Sequence, residues 1–292
     1  MAITASMVKE LRERTGLGMM DCKRALEETD GDLEKAIEEL RKTSALKAAK
    51  KAGRTTADGL LGLKVAEDGS RAAIVEVNIE TDFAAKNEKF IAFVEKTVAQ
   101  LFESSDGAIQ SVMAAGLDAE RETLVQEIGE NISVRRGTVL DSSSGGISSY
   151  LHGDNRKASL VVLSGQNAAL GRDIAMHVTA ISPLVVRGDD VPADVLAKER
   201  EIYTTQANDS GKPPEIVEKM VEGRIRKYLA EVSLLDQPFV KDPNEKVGGL
   251  AKAAGVEVEQ FVRFEVGEGI EVEEEDFAAE VAAQLQTSGD NN

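Results

Sequence analysis

The chain has 292 residues, 42% of them hydrophobic, enough for two or more domains with sizeable cores. Aromatics make up only 4% and Trp is absent, so those cores must be mainly aliphatic. A formal net charge of −17 argues against a general nucleic-acid binder, because phosphate affinity needs basic surface. Cys22 is the single cysteine, which leaves no intrachain disulfide and suits a reducing compartment. No apolar run approaches the length of a membrane span, and the first residues lack the basic-then-apolar layout of a secretory signal. A cytoplasmic location is the expectation.

Residues 1–54 read as a small helical module. Thr4 is a candidate N-cap, with Met7, Val8 and Leu11 on one face. Gly16-Leu17-Gly18 breaks the pattern, and a second helix follows through Met20, Ala25 and Leu26 to about Asp30-Gly31. Cys22, beside Ala25 and Leu26, reads as a small packed hydrophobe. Asp32 is placed to cap a third helix with Leu33, Ala36, Ile37 and Leu40 inside. Three short helices with tight loops make a compact bundle. Met19 and Met20 stand at the second helix start, where thioethers serve either a core or a partner surface; one facing in and one out is expected. From Arg41 to Arg54 there are six basic residues and no acidic one. This stretch has helix propensity but little apolar face, so it is read as a solvated helical linker, with an RNA-binding strip as the other reading.

Residues 55 to 185 look like two copies of one plan. Leu60 to Val65 and Ala72 to Asn78 flank the turn signal Glu67-Asp68-Gly69-Ser70, and a helix from Asn87 to Phe102 follows. Ile147 to Leu151 and Ala158 to Leu163 flank His152-Gly153-Asp154-Asn155, with a helix from about Ala169 to Ile181 after them. Each unit is expected to have one apolar sheet face covered by its helix. Between the copies, Glu120 to Ile128 reads as a helix and Ile132 to Leu140 as a strand.

In the first copy the corner Thr81-Asp82-Phe83-Ala84-Ala85-Lys86-Asn87 stands out. Phe83 lies between Asp82 and Lys86, where polar turn residues are expected. An aromatic ring at a loop tip beside a carboxylate suggests a probe for another molecule; alternatively the ring folds back as a lid on its own core.

Farther on, Val195, Ile202 and Tyr203 mark one helix face, and Val217, Val221, Ile225 and Tyr228 another. Asn208-Asp209-Ser210-Gly211-Lys212-Pro213-Pro214 must be the turn of an antiparallel helical hairpin that projects from the body. The chain returns through Phe239, a helix over Val247 to Ala254 and a strand over Glu259 to Val266. Beyond Arg263 there is no Lys or Arg. An acidic approach leads to a last helix, about Asp276 to Leu285, with Phe277, Val281 and Leu285 as its stripe; it either docks on a partner or packs on its own body.

Catalytic constellations are absent from the pattern. His152 sits at a hairpin tip and His177 in a helical run, where it reads as structural; neither has a Cys or His at metal-ligand spacing. No Walker-type loop occurs, and Gly267-Glu268-Gly269 lacks a third glycine and is ringed by carboxylates. No cofactor or metal is expected.

Several motifs in order carry a family resemblance. They are Ile3-Thr4-Ala5-Ser6, Met19-Met20-Asp21-Cys22-Lys23, Asn78-Ile79-Glu80-Thr81-Asp82-Phe83-Ala84-Ala85-Lys86-Asn87, Ile174-Ala175-Met176-His177-Val178, Met220-Val221-Glu222-Gly223-Arg224, Gln237-Pro238-Phe239-Val240 and Arg263-Phe264-Glu265-Val266-Gly267. Together they resemble the bacterial elongation factor Ts family, the guanine-nucleotide exchange factors of the GTPase elongation factor Tu. One departure is Ala84, where the family usually has Val.

The resemblance implies an α+β fold: an N-terminal three-helix ubiquitin-associated-like bundle, a duplicated hairpin-plus-helix core, an inserted antiparallel helical hairpin and a C-terminal docking helix. The implied parts are residues 1–54, the bundle with its basic linker; 55–140, the first core subdomain; 141–189 with 230–263, the second; 190–229, the helical hairpin; and 264–292, the C-terminal module. The family is not enzymatic in the covalent sense. By resemblance, Thr81, Asp82, Phe83 and Ala84 disturb the Mg²⁺ site of GDP-bound elongation factor Tu, with Phe83 wedged between its helices. Arg12, Met19, Met20, Lys23, Ile128, Gly129 and His152 are the implied partner contacts. The alternative from another class is an adaptor or chaperone-like protein built on the bundle, which has no use for an exposed Asp82-Phe83 pair.

Overall fold

A computed structural model describes residues 3–209 and 213–271. Its first helix, α1 (Ala5–Thr15), starts where the Thr4 hydroxyl accepts the Met7 N–H and stops at Gly16, whose φ of 73° is a left-handed C-terminal turn. Helix α2 (Met19–Glu28) follows, and α3 (Leu33–Lys51) starts where the Asp32 carboxylate accepts the Lys35 N–H. Val8, Leu11, Cys22, Ala25, Leu26, Ala36 and Leu40 pack together as their core. The expectation that one methionine faces inward is overturned: Met19 is 59% exposed and Met20 72%. Leu17, in the turn before them, is buried in that core, so the inward place is already filled.

The basic stretch is not a free linker. Helix α3 runs through it, and its inner side packs on α7 (Asp118–Ile128). Ser44 and Ala48, small enough for close approach, are buried there, and the Ser44 hydroxyl donates to Gln126 Oε1 (2.6 Å). The pairings of Lys42 with Glu38 and Glu39, Lys47 with Asp21, and Arg54 with Glu80 oppose the RNA-strip reading.

The body is built on two antiparallel sheets. Strands β1 (Asp58–Val65), β2 (Arg71–Ile79) and β3 (Ile132–Asp141) form one, in that spatial order. Strands β4 (Ile147–Leu151), β5 (Lys157–Leu163) and β8 (Val258–Glu265) form the other. The expected single apolar face per sheet is corrected, because both faces are covered. In β2, Ala73, Val75, Val77 and Ile79 pack with Phe90, Phe93, Val94, Val98 and Leu101 of α5 (Glu88–Glu103). The alternate residues Ala72 and Ile74 meet Ile147, Ala158, Leu160 and Val162 of the second sheet. The opposite face of that sheet, with Val161 and Leu163, is covered by Ile174, Ala175 and Val178 of α8 (Ala168–Ile181). The layers therefore run helix, sheet, sheet, helix, which is why β2 is a nearly continuous apolar run rather than an alternating one.

Glu76 interrupts that run. Fully buried in β2, it accepts from Arg135 Nη1 (3.1 Å), Arg136 Nε (2.6 Å), Asn78 Nδ2 (3.1 Å) and the Gly267 N–H (2.9 Å). Burial alone would push its carboxyl up; the Gly267 N–H, Arg136 and Asn78 outweigh it and hold the carboxyl below the usual glutamate value.

The segment before α7 was not foreseen: α6 (Ile109–Val112) leads into it through Met113–Leu117, which is kinked at Gly116, whose φ of 126° is not helical. Helices α9 (Ala193–Asn208) and α10 (Pro214–Val232) form the expected antiparallel pair, with their own core of Ala207, Val217, Val221 and Ile225. Ile202, expected inside, is exposed, while Leu196 and Tyr203 turn inward. The last turn of α10 joins the body, where the Leu184 N–H donates to Val232 O (2.9 Å). Strands β6 (Pro238–Phe239) and β7 (Asp242–Lys246) and helix α11 (Val247–Ala253) complete the second half.

His177 is structural, as read. The Val240 N–H donates to Nδ1 (3.1 Å), so the ring must carry its proton on Nε2, which donates to Gln237 Oε1 (2.9 Å). Gln237 passes the link to Glu231 O (2.6 Å), and burial pushes the imidazole below its ordinary value. The Ser210-Gly211-Lys212 part of the hairpin turn and the expected helix over Asp276 to Leu285 lie outside the described residues.

Candidate partner-binding site

The corner after β2 is a single helical turn, α4 (Asp82–Ala85). One turn makes too few internal hydrogen bonds to hold itself, so its conformation is imposed from outside. Thr81 caps it: its hydroxyl accepts the Ala84 N–H (3.1 Å). Ala84 and Ala85 are buried and join the core under α5. With those two facing in, Phe83 must face out, and it is 84% exposed. The lid reading fails on this geometry.

Asp82 is exposed beside it, with Lys86 Nζ 2.8 Å from its carboxylate one turn on. That hydrogen bond and the charges of Lys86 and Arg156 hold the Asp82 carboxyl below its ordinary value, so it is ionised at neutral pH. Arg156 ends the turn that carries His152, and the neighbouring Asn155 accepts the Leu61 N–H of β1 (2.8 Å). His152 is exposed there, its Nδ1 3.4 Å from the Tyr150 hydroxyl. The second hairpin tip thus packs against β1, where Arg156 also pairs with Asp58.

Of the four corner residues, Thr81, Asp82 and Phe83 are on the surface, whereas Ala84 is 6% exposed and supports the corner from beneath. A Val at this position would add core volume rather than partner surface. Ile128, half-buried, ends α7, and Gly129 follows in a left-handed turn (φ 92°) that a Cβ would strain.

A second apolar surface lies on the bundle. Ile3, Val8, Met19 and Met20 line a groove of about 570 Å³ together with Arg12 and Lys23. The four bundle residues expected at a partner surface therefore share one concavity. It is tied to the body through Asp21, whose carboxylate accepts from Gln126 Nε2 of α7 (3.1 Å).

Sequence reading missed the groups that fix the corner: Glu130, Asn131 and Glu80. The pattern placed a helix end at Ile128 and a strand start at Ile132, but nothing in it showed which strand end the loop between them would meet. Among the described residues no cluster of His, Cys, Asp or Glu is arranged to hold a metal ion, and no helix is long and apolar enough to cross a membrane.

The stacked sheets, the outward Phe83 and the methionine groove define an α+β protein that offers apolar side chains on its surface. The sequence profile described as "Elongation factor TS" matches residues 80–268, a span that begins at this corner. Relatives named "Elongation factor Ts" include that of Hahella chejuensis, 60% identical over 98% of this chain and 99% of the relative. Those of Saccharophagus degradans, 57% identical over 99% of each chain, and Teredinibacter turnerae, 53% identical over 100% of each, are similarly extensive matches. The chain belongs to the elongation factor Ts family.

Proposed function

We propose that this chain is a nucleotide exchange factor of translation elongation: it binds GDP-loaded elongation factor Tu, promotes GDP release and lets GTP rebind. The observation that carries the reading is Phe83, 84% exposed on a turn whose neighbours Ala84 and Ala85 are anchored in the core. A ring held in water on a fixed backbone costs solvation and suits insertion into another protein. Asp82, ionised and adjacent, brings a negative charge toward the partner's Mg²⁺ and phosphate site. Its pairing with Lys86 is solvent-exposed and screened, hence easily exchanged for a new partner.

The thermodynamic logic is linkage. A factor that prefers the nucleotide-free GTPase must weaken GDP binding by the same coupling free energy. Magnesium neutralises phosphate charge, so disturbing its site loosens the diphosphate. The methionine groove, with Arg12 and Lys23, serves as a second contact that holds the pair together while Phe83 inserts. Ile128, Gly129 and His152 complete the contact surface. The bundle, the two core halves, the helical hairpin and the C-terminal module are inferred to act as separate parts. An adaptor would use the groove equally well but leaves the Asp82-Phe83 pair without a task.

The test is stopped-flow release of a fluorescent GDP analogue from elongation factor Tu at several Mg²⁺ concentrations. Acceleration that rising Mg²⁺ opposes is the expected outcome; binding without acceleration would leave the adaptor reading.

A further inference from the structure

The corner that presents Phe83 is held by a residue 49 positions away in sequence. Glu130 Oε2 accepts the Thr81 N–H (3.0 Å), and Glu130 Oε1 accepts the Thr81 hydroxyl proton (2.8 Å). The hydroxyl is thereby oriented: its proton goes to Glu130, and its lone pair is left for the Ala84 N–H. Both donors of the cap residue end on one carboxylate. A reverse bond closes the pair of loops, the Asn131 N–H donating to Glu80 Oε1 (2.5 Å).

The same short loop also holds the end of α3. Asn131 Nδ2 donates to Arg54 O (3.0 Å), and Lys51 Nζ donates to Gly129 O. Residues 129–131 therefore bridge the end of the bundle's long helix to the Phe83 corner. None of these bonds is needed to bury Phe83, because it is not buried. Their effect is on direction: Ala84 and Ala85 anchor the inward face of the turn, and the bonds to Thr81 fix where that turn starts and so how the ring is aimed.

We propose that Glu130 is a positioning residue for exchange: by accepting both Thr81 donors it fixes the direction in which Phe83 leaves the body. The inference rests on the exchange reading above. A charged acceptor on two donors is stronger than a neutral one, and an amide in its place can take the Thr81 N–H on its oxygen but meets the hydroxyl with an N–H, so the hydroxyl must reverse and accept. Glu130→Gln therefore keeps shape and loses the charge and the orientation of the hydroxyl.

The experiment uses the full chain with GDP-loaded elongation factor Tu. Release of the fluorescent analogue is measured against factor concentration for wild type, Glu130→Gln, Thr81→Ala and the double variant. Thermal melts and amide hydrogen exchange over residues 80–87 are run on the free factor. Glu130→Gln should lower the maximal release rate about tenfold, the order set by one charge-assisted hydrogen bond, while the half-saturating concentration and melting temperature stay near wild type. Exchange at 81–85 should quicken, and the double variant should lose less than the sum of the two single losses, because Thr81→Ala removes the hydroxyl donor but keeps the N–H bond to Glu130. A wild-type maximal rate, strictly additive losses, or a loss that follows a lowered melting temperature would each overturn the proposal. If Phe83→Ala releases GDP as wild type does, the exchange reading fails instead, and the hydrogen-exchange arm still decides whether Glu130 fixes the corner.

Discussion

Replacing Phe83 by Ala separates a ring that acts on a partner from a ring that stabilises its own fold. Phe83 is 84% exposed, so of a side chain of roughly 200 Å² only about 30 Å² touches the rest of the chain. At ~25 cal/mol per Å², removing it costs the free protein under about 1 kcal/mol. For a body of this size that is about 2–4 °C in melting temperature at most. Phe90, seven residues on and fully buried, is the control: its truncation should cost about 3–5 kcal/mol. The remaining ~170 Å² of Phe83 is available to a partner, an upper limit near 4 kcal/mol, or about a thousandfold, if the contact forms only on the way to GDP release. Stopped-flow release of labelled GDP with Phe83→Ala should therefore fall steeply while calorimetric melts barely move. Normal release, or a melting loss comparable to that of Phe90→Ala, would refute the argument.

Further outcomes follow from other parts of the molecule. Met19→Ala with Met20→Ala should weaken binding to elongation factor Tu by about 1–3 kcal/mol in calorimetry and leave the melt unchanged, because both side chains are exposed. Glu76→Ala removes the buried acceptor shared by Arg135, Arg136, Asn78 and the Gly267 N–H and should destabilise the body by about 1–3 kcal/mol in denaturant titration. Because the folded-state Glu76 carboxyl lies below its ordinary value, its stabilisation is present above the unfolded glutamate value and is lost as pH falls through the folded one; Glu76→Gln should flatten that acid limb. Replacing residues 193–226 by a short Gly/Ser linker should preserve cooperative melting of the sheets, since that hairpin buries its apolar residues in a cluster of its own. Loss of the melting transition would show that the sheets depend on it.

Local chemistry made much of this protein legible. Thr4 and Asp32 as caps, Gly16 as a stop, the turn signals at Asp68-Gly69 and Asp154-Asn155, and the helical stripes from Phe90 to Leu101 are short-range features, and each element stands where the residues placed it. The corner itself was legible because Phe83 breaks the expected polarity of a turn. Three features depended on tertiary structure. Whether Phe83 folds back or points out turned on Ala84 and Ala85 taking the inward places. Whether Met19 or Met20 enters the bundle turned on Leu17 already occupying its core. Whether the basic stretch is a linker turned on α7 lying against Ser44 and Ala48. The stacking of the sheets and the Glu130 clamp joining residues 49 positions apart are of the same kind. A sequence pattern reports which face of an element is apolar, whereas the partner of that face is fixed only when distant segments compete for the same space.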